Sequence, residues 1–200
     1  FFTFCKEKSI SFEGKISHLD NDFESNEPVA YFTTAFLKVA SHEMCYESKG
    51  VIYFIVQSLI EIYGDKRLSE VFQGNDLSKY LLSKMTPQRY IFFLSELARE
   101  LKLSEEALDV FERARDLALS STDPDVLTHC YSAISLLILV INDMMLKIGE
   151  CAEFMLRDFN TSCNSVRLAL VRLFEAIIKR AEKEQNIQEV ADYFVDKFIE

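Results

Sequence analysis

Asp123-Pro-Asp-Val-Leu-Thr-His-Cys-Tyr-Ser-Ala-Ile-Ser-Leu-Leu137 is the stretch on which the fold turns. It opens with an Asp-Pro pair, a side-chain acceptor followed by a residue whose fixed φ suits the first helical position. Val126, Leu127, Cys130, Ala133, Ile134, Leu136, Leu137 and Val140 then occupy nearly every side of the helical wheel. A helix that is apolar all round belongs at the centre of a bundle, because no face of it is fit for water. Its expected span is Asp123 to about Ile141.

Two helices are expected before it. Thr86-Pro87 is a second cap-and-proline pair, and Ile91, Leu94, Leu97, Ala98 and Leu101 follow at helical spacing up to about Lys102. Ser104 is the expected cap of the next helix. Glu105 and Glu106 sit in its first turn, where the helix dipole favours acids. Leu108, Phe111, Ala114, Arg115 and Ala118 lie on neighbouring faces up to about Ser120. After the central stretch, a helix is expected from about Leu146 to Asp158, then the polar turn Phe159 to Asn164. A fifth helix runs from Asn164 past Arg180, with a buried stripe expected at Leu170, Val171, Phe174, Ile177 and Ile178. A last amphipathic helix starts at Ile187, with Val190, Phe194 and Phe198 on one stripe.

The first half is less regular. Glu27 to Met44 and Tyr46 to Tyr63 read as helices, with Pro28 at the start of the first. Phe12 to Glu24, rich in Asp, Asn and Ser, reads as a weak helix. Asp65 to Met85 reads as a connector with one or two short helices, broken at Gly74.

Composition agrees with an all-α chain. The 200 residues include only 5 Gly and 3 Pro, and 49% are hydrophobic. There is no Trp, so aromatic packing rests on 17 Phe. The net charge of −10 argues against broad, sequence-independent nucleic-acid binding but leaves room for a local basic patch. Cys5, Cys45, Cys130, Cys151 and Cys163 are odd in number and lack CxxC spacing, so reduced thiols are expected. His42 and Cys45 form one pair where a structural zinc needs two, so no metal is expected. The stretch Ile134 to Ile141, apolar but for Ser135, is far short of the roughly 20 residues that span a bilayer. A start at Phe1 without Met suggests a fragment of a longer protein.

No catalytic site is expected. His18, His42 and His129 are isolated, no glycine-rich phosphate loop is present, and no Ser or Cys has a recognisable partner. His129 lies on the packed central helix and reads as a hydrogen-bonded core residue. No small-molecule substrate or membrane association is expected.

Arg89-Tyr-Ile-Phe-Phe-Leu-Ser-Glu-Leu-Ala-Arg-Glu-Leu-Lys-Leu-Ser-Glu-Glu-Ala-Leu108, followed by Phe111-Glu-Arg-Ala-Arg-Asp-Leu-Ala118, resembles the first two helices of a transcription factor IIB cyclin repeat. Asp123 to Ile134 resembles its buried third helix. Ile148-Gly-Glu-Cys-Ala152, a polar turn and Ser165-Val-Arg-Leu-Ala-Leu-Val-Arg172 resemble its helix-turn-helix. The resemblance covers about Met85 to Lys183 and rests on order and spacing rather than rare residues. It implies two cyclin-like helical repeats: a compact, degenerate first repeat with connector in 1–85, and a second in 86–184. A C-terminal extra helix in 185–200 follows. So compact a first repeat suits a strongly diverged member, such as the trypanosomatid form. The family's zinc ribbon would lie upstream of Phe1, leaving no cofactor in this chain.

The resemblance further implies a non-catalytic, nuclear role in transcription initiation. The partners would be the TATA-binding protein or a relative, promoter DNA and RNA polymerase II. The fifth helix carries an excess of base. Arg167 in its first turn would meet base edges, Asn164, Ser165 and Arg172 would join it at the DNA, and Lys179 and Arg180 would meet phosphates. The stripe Ile187, Val190, Phe194 and Phe198 would pack back on the repeats or meet a partner. The alternatives are a solvated basic face on a plain helical bundle, a HEAT-like scaffold of the cohesin stromal-subunit type, or a kinase-binding cyclin. Tetratricopeptide repeats fit less well, since no period of about 34 residues recurs.

Overall fold

The computed structural model describes residues 56–57, 60, 65–74, 78–79, 82–83, 85–142 and 144–199. The described residues are mostly helical and contain no strand. The chain divides into two compact units, Phe1–Met85 and Thr86–Glu200. The expected helices Phe12 to Glu24 and Glu27 to Met44, and most of Tyr46 to Tyr63, lie outside the described residues.

In the first unit, α1 (Asp65–Ser69) passes into the 3-10 turn Glu70–Gln73. Gly74 stops it at φ +73, a left-handed conformation that glycine adopts without a Cβ penalty, and its N–H reaches the Val71 carbonyl. Leu68 and Val71 are buried.

The second unit contains α2 (Pro87–Leu101), α3 (Ser104–Leu119), α4 (Pro124–Leu137), α5 (Met145–Asp158), α6 (Asn164–Glu184) and α7 (Ile187–Ile199). Pro87 and Pro124 both stand at helix starts. Asp123 caps α4 through its side chain, accepting from the Asp125 N–H at 2.9 Å. Thr86 occupies the cap of α2 without such a bond. The cap of α3 is Leu103, not Ser104; Ser104 is already helical, and its hydroxyl accepts from the Asn142 side chain at 3.0 Å.

α4 is the hub, with α2, α3 and α6 all packed against it. Leu127, Cys130, Tyr131, Ala133, Ile134 and Leu137 are buried around its circumference. Ser132 and Ser135 are buried with them. The Ser135 hydroxyl stays hydrogen-bonded by donating to the Ser132 carbonyl of its own helix. Burial pushes the Cys130 thiol up to about 12. The Cys151 thiol on α5 is raised further, also by burial. Both sulfurs therefore act as small apolar groups. α4 stops at Leu137, short of the expected Ile141, and residues 138–140 form turns.

Two helices end on non-glycine residues in the left-handed region, Lys102 (φ 56) and Gln185 (φ 61). In each case the following residue closes the turn: Leu103 N–H donates to the Ala98 carbonyl, and Asn186 N–H to the Ala181 carbonyl. The second of these reverses the chain into α7, which packs on α5 and α6.

Candidate partner and nucleic-acid interface

The entry into α6 is held by a partly buried polar cluster. Tyr131, at the centre of α4, donates its phenol to the Asp158 carboxylate at the end of α5. The Arg157 guanidinium donates to the Tyr131 oxygen at 2.8 Å, to Asp158 at 2.7 Å and to the Ala118 carbonyl at the end of α3 at 3.1 Å. Burial alone would raise the Asp158 carboxyl, but the hydrogen bonds from Arg157 and Tyr131 outweigh it and hold it below its ordinary value. Burial, with the adjacent carboxylate, raises the Tyr131 phenol, so it stays a neutral donor. Three helices are thus tied together immediately before the turn of residues 159–163. A second tie joins α3 to α5: Glu150 accepts from Arg115 at 3.1 Å and from Lys147 at 3.0 Å.

α6 begins at Asn164, with Cys163 as its cap residue. The Cys163 thiol lies 3.1 Å from the Ser165 hydroxyl. Hydrogen bonds from Ser165 and from the Val166 backbone draw its pKa below the ordinary thiol value. Ser165 also accepts from Thr128 of α4 at 3.1 Å. Asn164 accepts from the exposed Arg167 guanidinium. Of the expected contact residues, Asn164, Ser165 and Arg167 therefore share the exposed first turn.

The remaining bases of α6 do not form one free face. Arg180 turns inward: its side chain is 13% exposed, and it donates to the Leu139 carbonyl at 2.6 Å, to the Ile141 carbonyl at 3.2 Å and to Glu184. These two carbonyls lie just past the end of α4 and have left the helical ladder, so the guanidinium takes the place of helix N–H groups. That occupation corrects the expectation that Arg180 faces a phosphate. Lys179 is exposed and pairs with Glu175 at 2.7 Å, one turn earlier. Arg172 is half-buried.

The buried stripe of α6 also differs from expectation. It consists of Val166, Ala169, Leu170, Leu173, Ala176, Ile177 and Ala181. Val171 and Phe174, expected inside, are 51% and 42% exposed. The small side chains Ala169 and Ala176 allow α6 to lie close on α4, which centres the buried sector on Leu173. On α7, Val190 and Phe194 are buried as the stripe requires, and Phe194 meets the Phe174 ring edge-on at 5.2 Å. Ile187 is half-exposed instead, at the start of the helix. The Phe198 side chain lies outside the described residues.

His129 sits on α4 with Nδ1 2.8 Å from the Asp125 carbonyl and its ring edge-on to Phe92. That carbonyl can only accept, so Nδ1 carries the proton. Among the described residues, no group of three or more His, Cys, Asp or Glu side chains could hold a metal ion. No described helix is long and apolar enough to cross a membrane. No family model, curated protein or solved structure matches this chain. Sequence reasoning missed the Tyr131–Arg157–Asp158 cluster. Its only trace in the sequence is an Arg-Asp pair at a helix end and a Tyr in an otherwise aliphatic helix.

Proposed function

We propose that residues 86–184 form a cyclin-like repeat of the transcription factor IIB kind, acting in the nucleus as a non-catalytic bridge. One side would hold the TATA-binding protein or a relative, and the domain would touch promoter DNA and help recruit RNA polymerase II. The observation that supports this reading is the arrangement around α4. The third of five helices is central, and the last two are joined by a short polar turn. The second of those begins with an exposed Arg167 beside Asn164 and Ser165.

The first turn of the second helix in a helix-turn-helix is the part that reaches base edges. With Arg180 inside and Lys179 already paired to Glu175, the DNA contact narrows to Arg167 and Arg172. So few cations in a chain of net charge −10 make DNA the minor contact and the protein partner the main source of affinity.

The test is capture by immobilised TATA-binding protein on a promoter fragment. Retention on that complex is the expected result. Capture of cohesin ring subunits or a cyclin-dependent kinase instead would overturn the reading. In a titration of the same complex, Arg167→Ala should lose about 1–3 kcal/mol and relax sequence preference.

A further inference from the structure

Thr86-Pro87-Gln88-Arg89 has the form of a helix start, yet the Thr86 side chain does no capping. Asp123, in the same place before Pro124, accepts from the Asp125 N–H, whereas Thr86 makes no side-chain cap bond. Thr86 and Pro87 are both exposed. The Thr86 backbone is extended, at φ −69 and ψ 154, as the proline after it favours. Thr86 is also the first residue of the second compact unit. Pro28 follows Glu27 and Pro124 follows Asp123, so Thr86 is the one hydroxyl residue of the chain that precedes a proline.

We infer that Thr86 is a phosphorylation site for a proline-directed protein kinase that takes a basic residue three positions further on. A kinase pocket with no acceptor for the backbone N–H after the target residue selects Pro, because any other residue would bury an unpaired donor there. Arg89 supplies the base at the third position. In the transfer, the Thr86 Oγ1 bonds to the γ-phosphorus of a nucleoside triphosphate held by the kinase. The bond from that phosphorus to the bridging oxygen breaks, the nucleoside diphosphate leaves, and the hydroxyl proton goes to the kinase's carboxylate. To enter the kinase, the first turn of α2 must open as far as Arg89. That gives up the bonds from the Arg89 and Tyr90 N–H groups to the Thr86 carbonyl, at 3.1 and 3.0 Å, which lie at a helix end where opening costs least. The product suits the place: a phosphate at the start of α2 is favoured by the helix dipole. Asp125, which accepts from Gln88 at 3.0 Å, is exposed, so water screens its repulsion. The inference does not rest on the promoter reading, which uses no residue of this turn.

The test incubates the full chain with ATP and a purified proline-directed kinase already bound to its own cyclin, so that the chain serves only as substrate. Phosphorylated peptides are then mapped by mass spectrometry. Phosphate on Thr86 is the expected result. Thr86→Val should lose that phosphate, and a melt like the parent's would show that the acceptor was lost and not the fold. Pro87→Ala, which keeps a good helix former at the first position, should slow the transfer by about tenfold or more. The inference fails if Thr86 takes no phosphate in the folded chain, including the case in which a synthetic peptide of residues 81–92 takes it and the folded chain does not. It also fails if Pro87→Ala is phosphorylated at the parent's rate.

Discussion

Tyr131→Phe isolates the cluster that fixes the entry to α6. The ring stays, so its tilted packing against Phe154 at 5.5 Å is kept and no cavity forms. What is lost is the bond from a buried phenol to the Asp158 carboxylate, together with the one the phenol oxygen accepts from Arg157. A hydrogen bond to a charged group contributes about 1.5–3 kcal/mol. Asp158 keeps Arg157 and is 15% exposed, so water recovers part of the loss, which points to about 2 kcal/mol. For a chain of this size that lowers Tm by about 4–8 °C.

The pH dependence has a definite sign. The folded Asp158 titrates below its ordinary value, so its contribution is present above about pH 4 and is lost as pH falls through the depressed value. The gap between parent and variant should therefore be full at pH 7 and shrink in acid. Circular-dichroism melts of both proteins across that range provide the measurement. A variant that melts within about a degree of the parent at neutral pH, or a gap that widens in acid, refutes the reasoning.

Further outcomes follow from the same structure. Ile134→Asp places an unpaired charge at a fully buried position of the hub, and should cost several kcal/mol and abolish the cooperative melt. Arg180→Ala leaves the Leu139 and Ile141 carbonyls without their donor and should cost about 2 kcal/mol by urea denaturation, whereas Lys179→Ala should stay within about 0.5 kcal/mol. Among the described cysteines, Cys163 should react first with a thiol reagent and at lower pH than a free thiol. Cys130 and Cys151 should stay protected until unfolding, as peptide mapping of the labelled protein would show.

The helical organisation of the second unit was legible because its signals are local. Pro87 and Pro124 mark starts through a fixed φ and a missing N–H, and Asp123 marks one through its side-chain acceptor. The near-complete apolar circumference of Asp123 to Leu137 placed that helix at the centre before any packing was known, because water excludes every alternative. Gly74 marked a stop for a similarly local reason. Lys102 and Gln185 left no such trace, since neither side chain favours the left-handed region they occupy. They adopt it because the residue that follows can close onto a free carbonyl one turn back.

What only the tertiary structure decided is which side of α6 faces inward. Its apolar residues cover more of the wheel than one neighbour can bury. Val171, Phe174, Leu170 and Ile177 were therefore equivalent by periodicity, and contact with α4 separated them. Among its charges, spacing puts Arg172 and Lys179 together and Arg180 about 100° away, seven residues past Leu173 and so over the buried stripe; what only the fold supplies is the pair of carbonyls, Leu139 and Ile141, that Arg180 meets there. Periodicity is a property of one helix. Burial and pairing belong to the neighbour that meets it, and that neighbour lies about forty residues away along the chain.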